Sequence, residues 1–316
     1  MKSKRIVATI LALILICSLT LTGCGKTAPV KDLVVTYVTS PLNVPSIVEQ
    51  NHGIFQETMK EAGVETVTYS EITSGADQTQ ALASGDIHFL YAVGATSVIL
   101  SAANDADIKI ISMYSRSPKA FCLFSNDSSI TSPEDLRGKT VAGPQGTILH
   151  ELLVAYLATG NMTLADISFV NTTIPDAMAA MMGGSVDCAL LAGAAAYNTQ
   201  AAGARLVTNG DGLVEASICC ATTQKFYDEH KDVVESFLKA QGNVLDFMAA
   251  NEETALQEAA DYLDLDINAV KDMYGYYNFD MTIYDSDIAA MESTMQFMLD
   301  NDMIEQPVDI ASLVIR

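Results

Sequence analysis

The sequence predicts an α/β protein of two similar lobes, each a sheet flanked by helices, with C-terminal helices packed on a lobe. Three observations carry this. Between residues 32 and 194, short apolar or β-branched runs alternate with segments of helical spacing, the pattern of parallel strands joined by crossover helices. A middle segment repeats an earlier one. Shifting residues 73–95 by 99 positions onto 172–194 pairs Thr73/Thr172, Asp77/Asp176, Ala81/Ala180, Gly85/Gly184, Gly94/Gly193 and Ala95/Ala194, so that helix cap, helix stop and strand end all coincide. From Gln224 onward the apolar spacing is only helical, and no Gly/Ser/Pro linker detaches that part from the rest.

The chain opens with an export segment. Lys2, Lys4 and Arg5 precede the apolar run Ile6–Ile16, which is short for a membrane span. Leu21-Thr22-Gly23-Cys24 follows and resembles the bacterial lipoprotein box, whose cysteine takes a diacylglyceryl group and becomes the mature N-terminus. Residues 1–23 are therefore expected to be a lipoprotein signal peptide, Cys24 the lipidated residue and 24–31 a tether. The protein would sit lipid-anchored on the extracytoplasmic face of a cell membrane without spanning it.

Seventeen Lys+Arg stand against 39 Asp+Glu, a net charge of −22; loss of the three basic residues of the leader leaves 14 against 39, or −25. Such a surface disfavours nucleic acid and anionic lipid head groups, although local backbone dipoles can still hold an anionic ligand. The 293 residues after the leader suggest two lobes, and a hydrophobic share of 49% is ample for their cores. Cys122, Cys188, Cys219 and Cys220 lie in apolar runs without metal-ligand spacing, which makes them small buried hydrophobes by default, with disulfides an open alternative outside the cytoplasm. His52, His88, His150 and His230 are scattered singly, so no metal or cofactor is expected.

In order, strands are expected at Leu33–Thr39, Glu65–Ile72, Ile87–Val93 (closed by Gly94) and Ile108–Tyr114. The helices between them are Ser46–Phe55, stopped by Gly53; Asp77 to Gly85; and Thr96–Ala103, with Ser40–Pro45 a loop. The second set has strands from Val141, at Ile167–Asn171 and at Val186–Leu191, with helices from Thr147 and Asp176. Four helices follow: Asp232–Ala249, Glu252–Leu263, Ile267–Tyr277 and Ser286–Leu299, with Asn251, Asp266 and Ser286 as N-caps.

The stretch with most chemical content is 139–157. A short strand at Lys139–Ala142 is broken by Gly143-Pro144-Gln145-Gly146, and Thr147 can cap a helix with Leu149, Leu152, Leu153, Tyr156 and Leu157 on its apolar side. The unpaired N–H groups and dipole of such a turn suit an acceptor or anionic group of a ligand. Ordinary βα loops share this pattern. No P-loop Lys-Ser/Thr or three-glycine fingerprint is present, so a nucleotide is not indicated.

Several segments in this order, behind the lipoprotein box, resemble a known family. They are the loop to Pro45 with "NHGIF", "ALASGDIHF" (Ala81 to Phe89), "SPEDLRGKTVAGPQGT" (Ser132 to Thr147), "PDAMAAMMGGSVDCA" (Pro175 to Ala189) and "FYDEHKDVVESFLKA" (Phe226 to Ala240). Over about residues 32–300 the chain resembles the ABC-transporter substrate-binding lipoproteins of the nitrate/sulfonate/taurine and thiamine-precursor (SsuA/NMT1-like) type. The resemblance implies a two-lobed periplasmic-binding-protein fold of type II, with lobe 1 at 32–116 and 217–316 and lobe 2 at 117–216. Hinges would lie near Tyr114–Lys119 and Asp211–Ser217. It implies a monomer that is not an enzyme, closes on a small organic molecule and delivers it to an ABC permease and ATPase complex. The family's contact loops fall on Ser40, Leu42 and Asn43; on Gly75; on Gly94 and Thr96; on Gln145, Gly146 and Thr147; and on Gly193.

The sequence departs from that family in three places. His88 stands where an acid is common and is read as structural. Leu191–Ala196 is small and apolar where a Glu-Pro pair is frequent. None of the mapped loops carries Lys or Arg, which leaves Arg116 and Lys119, read as solvated hinge residues, as the basic candidates. Hydroxyls and amides without formal charge, with Tyr37, Tyr91 and Tyr197 as stacking candidates, favour a neutral or singly charged organic ligand, heteroaromatic ones included. Two rivals stand beside transport: an enzyme of the same fold, similar to pyrimidine-precursor synthases, which would need more cysteine than the Cys219-Cys220 pair, and a surface lipoprotein without transport.

Overall fold

A computed structural model describes residues 28–39 and 41–315; the leader, the box with Cys24, and Ser40 lie outside the described residues. The first part runs β1 (Asp32–Tyr37), α1 (Val44–His52), α2 (Ile54–Met59), β2 (Thr66–Glu71), α3 (Gly75–Ser84), β3 (Leu90–Gly94), α4 (Ala95–Ala103) and β4 (Lys109–Arg116). The chain then enters a second sheet with β5 (Phe121–Ser125), β6 (Thr140–Gly143), α5 (Ile148–Thr159), β7 (Ser168–Asn171), α6 (Ile174–Met182), β8 (Cys188–Ala192), α7 (Gly193–Ala201) and β9 (Arg205–Asn209). It returns in β10 (Ser217–Thr222). The helices α8 (Gln224–Glu229), α9 (Lys231–Ala250), α10 (Glu252–Leu263), α11 (Ile267–Tyr274), α12 (Asp285–Asp300) and α13 (Ile310–Leu313) complete it.

The two sheets share one plan. In the second, the order is β7-β6-β8-β5-β9, with β6 parallel to β7 and β8, and β5 antiparallel to β8 and β9. In the first, β1 pairs parallel with β2, and β10 lies antiparallel between β3 and β4. A parallel bridge from Val35 to Phe89, with Thr36 N–H donating to the Phe89 carbonyl at 3.0 Å, joins β1 to β3. The order β2-β1-β3-β10-β4 thus mirrors β7-β6-β8-β5-β9. In each sheet the antiparallel strand comes from a chain that has just crossed from the other sheet, so two crossings hold the lobes together.

The internal repeat has a backbone cause. Ser74 and Thr173, 99 residues apart, both cap helices by accepting from the N–H of Asp77 (3.4 Å) and Asp176 (3.3 Å). Gly85 and Gly184 both follow those helices in the left-handed region, at φ +82° and +74°, which a side chain would strain.

The C-terminal helices pack on the first lobe as expected. Phe237 of α9 stacks on Phe89 at 4.1 Å, and Gln241 is tied to β4 by bonds to Ser112 (2.6 Å) and the Met113 carbonyl (2.8 Å). Several boundaries differ from the sequence reading. Helix α1 begins at Val44, two residues early, because Pro45 fits a first turn where its missing N–H is no loss. Gly53, at φ +63°, divides α1 from α2. Helix α11 ends at Tyr274, and Gly275 turns Tyr276 and Tyr277 out of it. Ser286 is not the cap of α12. Tyr284 holds that position, and its N–H donates to the Asp287 carboxylate at 2.7 Å. Asp266 does cap α11, accepting from Asn268 N–H at 2.8 Å, whereas the Asn251 amide donates back to the Phe247 carbonyl. Cys122, Cys188, Cys219 and Cys220 are free thiols, buried in the cores. Among the described residues, no helix is long and apolar enough to cross a membrane.

Candidate ligand-binding site

The carboxyl ends of β1, β3, β6 and β8 bring loops of the two sheets face to face, the position where open α/β sheets bind ligands. Contacts across this crevice are direct. Thr96 Oγ1, in the first turn of α4, donates to Glu151 Oε2 at 2.7 Å, and Thr294 Oγ1 of α12 donates to Oε1 at 2.9 Å. Ser97 Oγ donates to the Gly146 carbonyl at 3.4 Å. A methyl group at Gly94 would meet Ile148 Cδ1 at 3.5 Å, one at Gly146 would meet Leu100 Cδ2 at 3.5 Å, and one at Gly193 would meet the Pro41 carbonyl oxygen at 1.9 Å. Gly75 backs the same place, with Ser97 Oγ 2.2 Å from where its Cβ would be.

The residues expected to touch ligand therefore divide. Gly75, Gly94, Thr96, Gly146 and Gly193 gather at the crevice. Leu42 and Asn43 are buried in lobe 1, where the Asn43 amide donates to the Val38 carbonyl at 2.9 Å and shapes the loop. Gln145 is exposed, its N–H donating to Asn171 Oδ1 at 2.9 Å. Gly146 N–H donates to His150 Nδ1 at 3.3 Å, and Thr147 Oγ1 turns back to the Pro144 carbonyl at 2.9 Å instead of capping α5. The N–H groups of Gln145 and Gly146 are thus engaged within the protein rather than free. Gly146 sits at φ +71°, so its glycine serves the backbone as well as any ligand. Tyr37 and Tyr91 belong to the core, Tyr91 packing on Phe55 (5.1 Å) and Tyr114 (4.8 Å).

Glu151 was not singled out from the sequence. It is buried at the junction with no cationic partner among the described residues, and burial raises its carboxyl pKa against the opposing pull of the two hydroxyls, with Glu215 adding to the rise. Its signal was an acid in the otherwise largely apolar helix "ILHELLVAYL", one turn past the Gly-Pro loop. His150 is buried too. Burial lowers its pKa, its ring stacks on Phe169 at 5.1 Å, and Nε2 has no partner among the described residues.

Arg116 is not a solvated hinge residue. Its guanidinium grips the Asp287 carboxylate at 2.5 and 2.6 Å and donates to the Asp280 and Thr282 carbonyls at 2.8 Å each, so it fastens α12 to β4. Lys119 is exposed and lies 3.6 Å from Asp211, one crossing beside the other. His88 accepts from Val34 N–H through Nδ1 at 3.0 Å and helps to join β1 to β3. A cavity of about 530 Å³ opens beside Gly193 between α7 and α11, bordered by Tyr197, Met273, Tyr276 and Tyr277.

Two sheets of matched order, two crossings and facing loops define the class: a two-lobed periplasmic-binding-protein fold. Within it, the family model described as "NMT1/THI5 like" matches residues 41–255, and the chain belongs to that family. It is 24% identical over 275 residues to a protein of Bacillus subtilis (strain 168) named as aliphatic sulfonates-binding, covering 85% of this chain and 82% of the relative. It is 26% identical over 231 residues to the taurine-binding periplasmic protein of Escherichia coli (strain K12), covering 72% and 69%. Among solved structures it resembles the alkanesulfonate-binding protein SsuA of Xanthomonas axonopodis pv. citri bound to MOPS, with TM-score 0.82, 20% identity and 92% and 99% coverage. The fold is also that of the desulfurization enzyme DszB, at TM-score 0.64, 16% identity and 90% and 96% coverage.

Proposed function

We propose that this chain is the extracytoplasmic solute-binding component of an ABC importer and not an enzyme. It captures a small organic molecule between lobes 32–116 plus 217–316 and 117–216, and presents the closed form to a permease and ATPase complex as a monomer. One observation carries the reading. Loops from the carboxyl ends of two like sheets meet at a junction that Thr96, Thr294 and Glu151 close by hydrogen bonds, and two crossings join the sheets, at which a hinge motion would part the lobes. Gly75, Gly94, Thr96, Gly146 and Gly193 would border the ligand, with Ser40, Gln145 and Thr147 beside them. The relatives named for sulfonates and taurine support a polar organic solute. With Arg116 committed to Asp287 and no Lys or Arg in the contact loops, a ligand without net negative charge fits best.

Cys24 would anchor the protein. Cys24→Ala should move it from the membrane to the soluble fraction of a detergent-free extract, and equal fractionation of mutant and parent would refute the anchor. For the function, protein isolated from its own cells should release a small molecule on denaturation, identified by mass spectrometry. Deleting the chain should abolish uptake of that molecule; undiminished uptake would overturn the proposal.

A further inference from the structure

Strand β3 carries one residue more than its neighbour can pair. Cys219 of β10 faces Val93 and Cys220 faces Tyr91, so Ala92 stands between them as the extra residue of a β-bulge. Ala92 is also strained: it lies at φ +76°, a backbone region that disfavours a side chain. The extra residue resets the alternation of the strand. Phe89 and Tyr91 face one core and Leu90 the other; Ala92 stays with Tyr91, and Val93 and Ala95 join Leu90. Without the bulge, Val93 and the residues after it would turn to the opposite face. Those residues include Gly94 and Thr96, which meet Ile148 and Glu151 across the crevice.

Side chains hold the bulge where the ladder does not. Thr36 Oγ1, on β1, accepts from Tyr91 N–H at 2.6 Å and donates to the Tyr91 carbonyl at 3.2 Å. Cys219 Sγ donates to the Val93 carbonyl at 3.4 Å. Burial pushes the Cys220 thiol up to about 12, against the pull of Ser112 and of the Ala92 N–H, so a neutral sulfur meets the bulge from the other face of the sheet. Thr36, Cys219 and Cys220 are all fully buried, and both thiols are free. The two adjacent cysteines thus serve two different backbone groups of one bulge.

We propose that the Ala92 bulge sets the position of Gly94 and Thr96 against the second lobe, and that Thr36, Cys219 and Cys220 are positioning residues of the crevice that act through it. This rests on the reading that the lobes close on a solute, and it names residues outside the crevice that govern the closure. Strand β10 starts at Ser217, where the second crossing ends. The strand that returns from that crossing is therefore the one that pins the lobe 1 side of the crevice.

Hydrogen exchange on the purified mature chain, with no solute added, tests this. Thr36→Val keeps the shape of the side chain and leaves the Tyr91 N–H and carbonyl without their hydroxyl. Exchange at 94–97 and 146–152 should rise at least about fivefold more than at 189–191 of β8 and 237–244 of α9, which report the opening of each lobe as a whole. Thr36→Ser should bring it back toward the parent rate. Because Thr36 acts through Thr96, adding Thr36→Val to Thr96→Val should speed exchange at 146–152 little further, as a double-mutant cycle reads. Cys220→Ala is a second variant with the same expected pattern, should Thr36→Val fail to fold. An equal rise at all four segments, no rescue by serine, or additive effects of Thr36→Val and Thr96→Val would each overturn the proposal. Uptake by cells lacking the chain tests the transport reading separately. Loss of that uptake together with an equal rise at all four segments would leave transport standing and the bulge assignment fallen.

Discussion

Replacing Thr96 and Thr294 by valine, singly and together, strips the Glu151 carboxylate of both hydroxyl donors while keeping side-chain volume nearly constant. The bonds are 2.7 and 2.9 Å long, each from a hydroxyl on the first lobe to a carboxylate on the second. A hydrogen bond to an ionised group contributes roughly 1.5–3 kcal/mol, so either single change should weaken closure by about that much. The double change should cost less than the sum, about 2–4 kcal/mol, because a buried carboxylate without donors takes up a proton. That moves the open–closed equilibrium by roughly 30- to 1,000-fold. Hydrogen exchange of the amides at 94–97 and 146–152 reads this opening directly, and small-angle scattering reports any gain in radius of gyration. The effect also depends on pH. Burial holds the Glu151 carboxyl above its ordinary value of 4.5 here, and opening the crevice to water should let it fall back toward that value. The closed form therefore binds the proton more tightly. Its extra stability is fully present below the ordinary carboxyl value of 4.5 and is lost as pH rises through the raised value. Closure should tighten on acidification, and Glu151→Gln should abolish that dependence. Exchange rates at both segments that are unchanged in the double variant, or pH dependence that survives in Glu151→Gln, would refute a Glu151-centred latch.

Three further outcomes follow from the packing. Arg116→Ala leaves Asp287 buried without its guanidinium and should lower stability by about 3 kcal/mol, read by urea unfolding; a loss below about 1 kcal/mol would mean the pair is surface-like. Burial pushes the Glu49 carboxyl up to about 7, so its contribution to stability is present below 4.5 and lost as pH rises through about 7, a loss of about 3 kcal/mol. Glu49→Gln can still accept from Phe55 N–H and should flatten melting temperature against pH over that window, whereas parallel profiles would contradict this. Gly193→Ala would put a methyl 1.9 Å from the Pro41 carbonyl and strain a φ of +56°, so the variant should fold but stay open by scattering; a closed variant would show that the Pro41 loop yields.

The parts of the fold legible in the sequence were those that local physics dictates. Gly53, Gly85 and Gly184 stop helices because their backbones are left-handed, and the C-terminal helices show their period because one face of each packs on lobe 1. Strands β5 and β10 illustrate the limit. "FCLFS" and "SICCAT" are buried along their whole length, so they lack alternation, and nothing local tells β5 to leave β4 for the opposite sheet. Helix α7, "GAAAYNTQA", is too rich in small residues to show a period. The site divides in the same way. Its glycines were legible because close approach requires them, as Gly193 against Pro41 shows. Glu151 was hidden because its partners come from residues 55 positions before it and 143 after it.

That separation bears on how the two lobes communicate. Thr96 follows β3 and Thr294 lies on α12, the helix that Arg116 fastens to the strand leading into the first crossing. The Glu151 latch, the first crossing and α12 therefore share one element. Tyr276 and Tyr277, on the turn after Gly275, stand just upstream of Asn278, whose N–H and carbonyl both pair with Arg116 at 2.9 Å. The turn that pairs with Arg116 thus holds the guanidinium in place, and through Asp287 the guanidinium holds the helix that carries Thr294. Arg116→Ala should therefore loosen the Glu151 latch as well as the crossing, read as faster hydrogen exchange at 146–152. Exchange there at the parent rate would show that α12 holds Thr294 against Glu151 without Arg116.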